Sequence, residues 1–209
     1  AESADDIIAA INEAMGRVTT GYVSPSIRDA EINGVKIKKG DTLTAGQLVE
    51  AMILPSGNDA AYMLACQAGR VIKNDPNLSP SAAVQAFMTQ MNTKAKEAGM
   101  TGTNFVNPDG WHNEDHYTTM NDLVILCREV LKNQTILKYT SRAEETVVLG
   151  DRELEWENTN FLLYEGGEAY VPSAIGLKTG YTGSAGNCLL SAFDLDGRKI
   201  VIGVFGCLE

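Results

Sequence analysis

The chain has 209 residues, 44% of them hydrophobic and 21% charged, and a formal net charge of -10. That length gives one domain with a real core, or one domain in two lobes, and the apolar fraction is too high for a disordered chain. The acidic balance argues against nucleic acid as a partner, and no apolar run approaches the roughly 18 residues of a membrane-spanning helix.

Residues 1–43 are mixed. Asp6 to Met15 fits a short helix or a strand, and Ile32 to Asp41, with Asn33-Gly34 and Lys39-Gly40, reads as turns around a short extended piece. From Thr44 the pattern is helical. Thr44 and Gln47 fit a capping box, Leu48, Val49, Met52 and Ile53 make an apolar stripe, and Pro55 ends the helix. Ser56-Gly57-Asn58-Asp59 forms a turn before a second helix from about Ala60 to Lys73. A third helix takes Ser79 as cap and Pro80 at its first position, with Val84, Phe87, Met88, Met91 and Ala95 inward and Gly99 as terminator. A loop rich in Asn, Asp and Gly covers 101–117. A fourth helix runs from about Thr119 to Lys132, with Leu123, Val124, Cys127, Val130 and Leu131 inward.

Past Ala143 the period changes to that of strands. Glu145 to Leu149 and Arg152 to Trp156 read as a hairpin around Gly150-Asp151. Ile175 to Gly180, Asn187 to Phe193 and Lys199 to Gly206 read as three more strands, the last pair joined at Asp196-Gly197. The fold class is therefore α+β, a helical lobe over about 44–142 and an antiparallel sheet lobe over about 143–209, within one domain spanning 1–209.

Cysteines stand at 66, 127, 188 and 207, with no C-x-x-C pair, so zinc is not expected. Buried thiols are the expectation, with a disulfide in an exported protein as the alternative. The chain starts at Ala1 with no n-region or h-region, and Leu208-Glu209 has the look of a scar before a purification tag. Both ends are expected to be cut edges.

Two short constellations carry chemistry. Ser56-Gly57-Asn58 lies between two helices, where turn and cap chemistry alone would explain it. Lys178-Thr179-Gly180 lies on a strand and continues into Tyr181-Thr182-Gly183. As a plain edge strand it needs no function. As a site it offers a fixed positive charge, a hydroxyl for a carboxylate, and a glycine that lets a peptide backbone lie alongside.

Together the two match motifs of penicillin-binding proteins and serine β-lactamases, which carry Ser-x-x-Lys, Ser-x-Asn and Lys-Thr-Gly. Leu54-Pro55-Ser56-Gly57-Asn58-Asp59-Ala60-Ala61 and Gly176-Leu177-Lys178-Thr179-Gly180-Tyr181-Thr182 resemble the low-molecular-mass D-alanyl-D-alanine carboxypeptidases, peptidase family S11. So do Asn104-Phe105-Val106-Asn107-Pro108-Asp109-Gly110, His116-Tyr117-Thr118-Thr119 and Gly40-Asp41-Thr42-Leu43-Thr44. The resemblance spans roughly residues 35–206 and implies a β-lactamase/transpeptidase-like fold, here expected to be incomplete at both ends.

The first motif is absent. None of the ten lysines has a Ser three places before it. Thr93-x-x-Lys96 sits late in a helix among solvated residues, and His112 and His116 read as loop residues near the cleft. A fragment of a longer enzyme is the preferred explanation over a homologue without its nucleophile.

The resemblance implies a serine carboxypeptidase acting through an acyl-enzyme on peptidoglycan stem peptides ending in D-Ala-D-Ala, and acylated by β-lactams. Within it Ser56 would relay protons to the leaving amine, and Asn58 would bind the substrate amide carbonyl. Lys178 would supply positive potential and order Ser56. Thr179 would bind the terminal carboxylate, Gly180 would leave room for the substrate, and the N–H of Tyr181 would be one oxyanion donor. The chain alone is expected to be inactive. No cofactor is called for. Family members act outside the cytoplasmic membrane, which implies an exported, cell-wall-facing parent protein, membrane-anchored or free. Self-association through an uncovered sheet edge is a further expectation. Rival readings are a β-lactamase, opposed by Gly57 where class A enzymes use Asp, a nucleophile-less wall-binding module, and an unrelated α+β domain.

Overall fold

The computed structural model describes Val18–Thr19, Ile37 and residues 41–207. The expected element over Asp6–Met15, the turns at 33–34 and 39–40, and Leu208-Glu209 lie outside the described residues. The chain order is β1 (Val18–Thr19), β2 (Thr42–Leu43), α1 (Ala45–Ile53), α2 (Asn58–Lys73), α3 (Pro80–Glu97), α4 (Met120–Lys132) and α5 (Gln134–Thr140). Then follow β3 (Glu144–Leu149), β4 (Arg152–Glu157), a 3-10 turn (Phe161–Leu163), β5 (Ala174–Thr182), β6 (Gly186–Leu195) and β7 (Arg198–Cys207).

The helix starts obey local chemistry. Thr44 Oγ1 accepts from the Gln47 N–H while the Gln47 side chain accepts from the Thr44 N–H, completing the capping box. Ser79 caps α3 with Pro80 in its first turn. Thr119 caps α4. Helix α2 starts two residues before its expected start because Gly57 takes the N-cap position.

Burial differs from the stripes in two helices. In α3 the most buried line includes Ala83 and Ala86, with Val84, Phe87 and Met91 at the flanks. Gly69 of α2 is the reason: its backbone lies against that of Ala83, so the contact favours small residues. In α4, Val124 is 49% exposed, whereas Asp122 is buried. Asp122 turns inward because its Oδ2 accepts from the Gly102 N–H (2.8 Å) and the Thr103 hydroxyl (2.6 Å), pinning the start of the 101–119 loop. Asn92 holds the same loop through both main-chain groups of Phe105. Helix α5 has no counterpart in the sequence reading. Asn133 serves both as C-cap of α4 and N-cap of α5.

The strands form separate antiparallel sheets. β3 and β4 pair as a hairpin, Leu149 opposite Arg152, with Gly150 at φ +65 in the two-residue turn. Its inner face, Val147, Leu149, Leu154 and Trp156, packs with Leu43, Leu48, Ala51, Leu54, Ala60 and Met63. Its outer face carries Glu144, Glu153, Glu155 and Glu157, all exposed. The three-stranded sheet has the order β5-β6-β7, with Asp196 and Gly197 both at positive φ in the last turn, as a type I′ turn requires. A second core joins it to α4 and α5 through Cys127, Leu137, Leu177 and Ala192. Cys66 and Cys127 are buried. Cys188 and Cys207 are only half-buried, a departure from the expected buried set, and all four are free thiols. Among the described residues, no helix is long and apolar enough to cross a membrane.

Candidate active site

The segment after α1 is shaped by Pro55. Leu54 closes the helix, and the chain then doubles back so that the Gly57 N–H donates to the Ala51 carbonyl at 2.9 Å. That reversal puts Ser56 in the left-handed region, φ +61. For a non-glycine residue this costs about 1 kcal/mol, and such strain is characteristic of functional turns. Ser56 is half-buried, and Asn58, two residues further on, opens α2.

Lys178, Thr179, Gly180 and Tyr181 lie on β5. Among the described residues β5 pairs only with β6, so its other rim is an edge of the sheet. The strand is anchored upstream at Gly176, φ +110, where a Cβ would come within 2.6 Å of the Thr140 carbonyl oxygen. The Ser191 hydroxyl donates to the Gly176 carbonyl at 2.6 Å. Lys178 is the outstanding ionisable group: burial pulls its ammonium down from 10.5 to about 8. Its Nζ donates to the Thr179 carbonyl at 3.1 Å. Gly180 faces open space, with nothing within 4 Å of where a Cβ would stand. Tyr181 is 70% exposed.

A bridge at 158–160 runs between the two segments. The Thr159 N–H donates to the Leu54 carbonyl at 3.1 Å, two residues before Ser56. The Thr159 hydroxyl is hydrogen-bonded to the Thr179 hydroxyl. Asn158 makes this bridge firm: it is buried, its Nδ2 donates to the Arg142 carbonyl (2.8 Å) and its Oδ1 accepts from the Asn160 N–H (2.9 Å). The Tyr164 hydroxyl donates to the Asn158 carbonyl.

Lys94 pairs with Glu97 in the exposed last turns of α3, so the Thr93–Lys96 pattern is a solvated helix face. His112 is exposed. His116 stands edge-on to Phe105 at 5.6 Å, and burial lowers its pKa while Asp109 partly opposes this. Among the described residues, no three His, Cys, Asp or Glu side chains could hold a metal ion together. The arrangement offers a desolvated cation, a hydroxyl and a strand rim, joined through Thr159 to the segment that holds a strained serine.

The family model described as D-alanyl-D-alanine carboxypeptidase matches residues 13–208. The chain belongs to peptidase family S11. It is 32% identical over 187 residues to the D-alanyl-D-alanine carboxypeptidase DacF of Bacillus subtilis, an alignment covering 88% of this chain and 44% of that protein. It is 34% identical over 168 residues to a D-alanyl-D-alanine carboxypeptidase of Streptomyces, covering 78% and 54%. The chain thus spans about half the length of these curated relatives. Among solved structures, a mutant of a Streptomyces DD-transpeptidase superposes with a TM-score of 0.77 at 29% identity, over 96% of this chain and 78% of that one. Penicillin-binding protein D2 of Listeria monocytogenes, solved in a cefotaxime-bound form, shares the fold at a TM-score of 0.67 and 24% identity, over 96% and 76%.

The expected fold class is thereby met: helices with antiparallel sheets in the arrangement of the DD-peptidases. What the sequence reading of this S11 chain missed is Thr159. Its only sequence signal is a polar Asn158-Thr159-Asn160 after a strand, which any turn could supply.

Proposed function

We propose that this chain is the substrate-cradling body of a serine-type D-alanyl-D-alanine carboxypeptidase. The observation that carries the reading is the edge placement of Lys178-Thr179-Gly180 on β5, tied through Thr159 to the turn that holds Ser56. A peptidoglycan stem peptide ending in D-Ala-D-Ala would add to the rim of β5 as an extra strand, passing over Gly180. Its carboxylate would meet Thr179 and the positive field of Lys178. Ser56 and Asn58 would serve the leaving amine and the substrate amide, and the Tyr181 N–H would donate to the oxyanion. β-Lactams would occupy the same cradle. The serine nucleophile and its lysine are not among these 209 residues, so turnover by the chain itself is not expected. The site would work outside the cytoplasmic membrane, facing the wall. The same rim of β5 would let two copies pair edge to edge.

The test is intact mass after benzylpenicillin. Protein from the whole gene encoding this chain should gain one penicilloyl group, and the 209-residue chain should gain none. An adduct on the short chain would overturn its inactivity. No adduct on well-folded whole-gene protein would favour a second reading, a wall-binding module without a nucleophile, which the missing Ser-x-x-Lys supports.

A further inference from the structure

We infer that Thr159 is a positioning residue: it donates its hydroxyl hydrogen to Thr179 Oγ1, so that the Thr179 hydrogen points at the carboxylate of a bound peptide. This rests on the ligand reading above. A threonine hydroxyl has one hydrogen and two acceptor lone pairs. The contact between the two hydroxyls uses one hydrogen, from either side. When a carboxylate arrives it can only accept. Thr179 must then donate to it, and the shared bond survives only with Thr159 as donor. A Thr179 hydroxyl without that neighbour rotates freely, and ordering it costs part of the gain from the carboxylate bond.

Thr159 is suited to this because its own position is fixed. Its N–H is held by Leu54, and its flanking residues Asn158 and Asn160 are buried, 3% and 1% exposed. Its side chain is exposed, so changing it does not open the core. The same residue bonds Leu54, two residues before Ser56, through its main chain and Thr179 of β5 through its side chain.

The experiment is equilibrium titration of the 209-residue chain with diacetyl-L-lysyl-D-alanyl-D-alanine and with its C-terminal carboxamide. Thr159→Val removes the hydroxyl and keeps the shape. Thr159→Ala is a second variant without it, and Thr159→Ser retains it. The Val and Ala variants should bind the carboxylate peptide about tenfold more weakly, corresponding to about 1.4 kcal/mol. Their carboxamide binding should fall less, since the amide N–H can donate to Thr179 where a carboxylate cannot, and Thr159→Ser should stay within about twofold of the parent. Equal carboxylate binding by parent and Thr159→Val would overturn the inference alone, as would an equal loss on both peptides. A parent chain that binds neither peptide would overturn the inference and the ligand reading together, while the penicillin experiment still judges the enzyme assignment separately.

Discussion

A Cβ placed on Gly69 would lie 1.8 Å from the carbonyl oxygen of Ala83. Helices α2 and α3 therefore touch backbone to backbone, and the obstacle is a main-chain atom that no rotamer change can move. Gly69→Ala would gain up to about 1 kcal/mol of helix propensity. The forced separation of the helices costs more, so a net loss of about 2 kcal/mol is expected in urea unfolding. A neutral or stabilising result would show that the two helices are not locked at this point.

Ser56 gives the opposite sign. At φ +61 a glycine is at ease and an alanine is not. Ser56→Gly should be more stable than Ser56→Ala by about 1 kcal/mol. Both should lose function in the whole-gene protein, because both lack the hydroxyl. Thermal melts of the pair decide the first statement and penicillin acylation rates the second.

Lys178 links stability to pH. Its folded pKa of about 8 is below its unfolded 10.5, so between those values the unfolded chain holds more protons. Stability should thus rise with pH across that window, and below pH 8 the full cost of burying the cation is present. Lys178→Met removes that cost and should stabilise the protein at pH 7 by up to about 3 kcal/mol. The advantage of the variant should shrink as pH climbs from 8 towards 10. Cys66 and Cys127 have thiols pushed up by burial, so they act in the other direction from pH 9 upward. They are common to both proteins and cancel in the difference between the two melts. A constant difference at all pH values would contradict the assignment.

Asp122 predicts a graded series. Asp122→Ala removes the shared acceptor of Gly102 and Thr103 and should cost about 2–3 kcal/mol. Asp122→Asn keeps one carbonyl oxygen and should cost about half as much. Proteolysis within 101–119 should accelerate in the same order, since that loop is tethered there.

The thiols sort by access. Native alkylation should reach Cys188 and Cys207 at least about tenfold faster than Cys66 and Cys127, which are buried. Peptide mapping after a short pulse of iodoacetamide reads this directly.

Much of the architecture was legible because it is set by short-range chemistry. Pro55, the Thr44–Gln47 box, Ser79-Pro80 and Asp196-Gly197 each dictate a backbone geometry within four residues, and each holds. The motif segments were legible for the same reason, as compact strings. What failed depends on partners far along the chain. Periodicity put Val124 inward and did not list Asp122 there, because it cannot know that a loop twenty residues earlier offers Asp122 two donors. Thr159 was invisible because its meaning lies in Leu54 and Thr179, neither near it in sequence. Helix α5 is only seven residues long, too short to show a period.

The glutamate-lined outer face of the β3–β4 hairpin leads, one residue after Glu157, into the bridge that carries Thr159. An anionic peptide of the kind proposed would therefore approach through the repulsive field of a protein whose net charge is -10. Raising ionic strength shortens the reach of that field while leaving the part-buried Lys178 largely unscreened. Association with a carboxylate-terminated ligand should then quicken in salt, the reverse of the usual behaviour of an anion-binding site, and such a cradle would favour the dense counter-ion surroundings of a charged polymer over dilute solution.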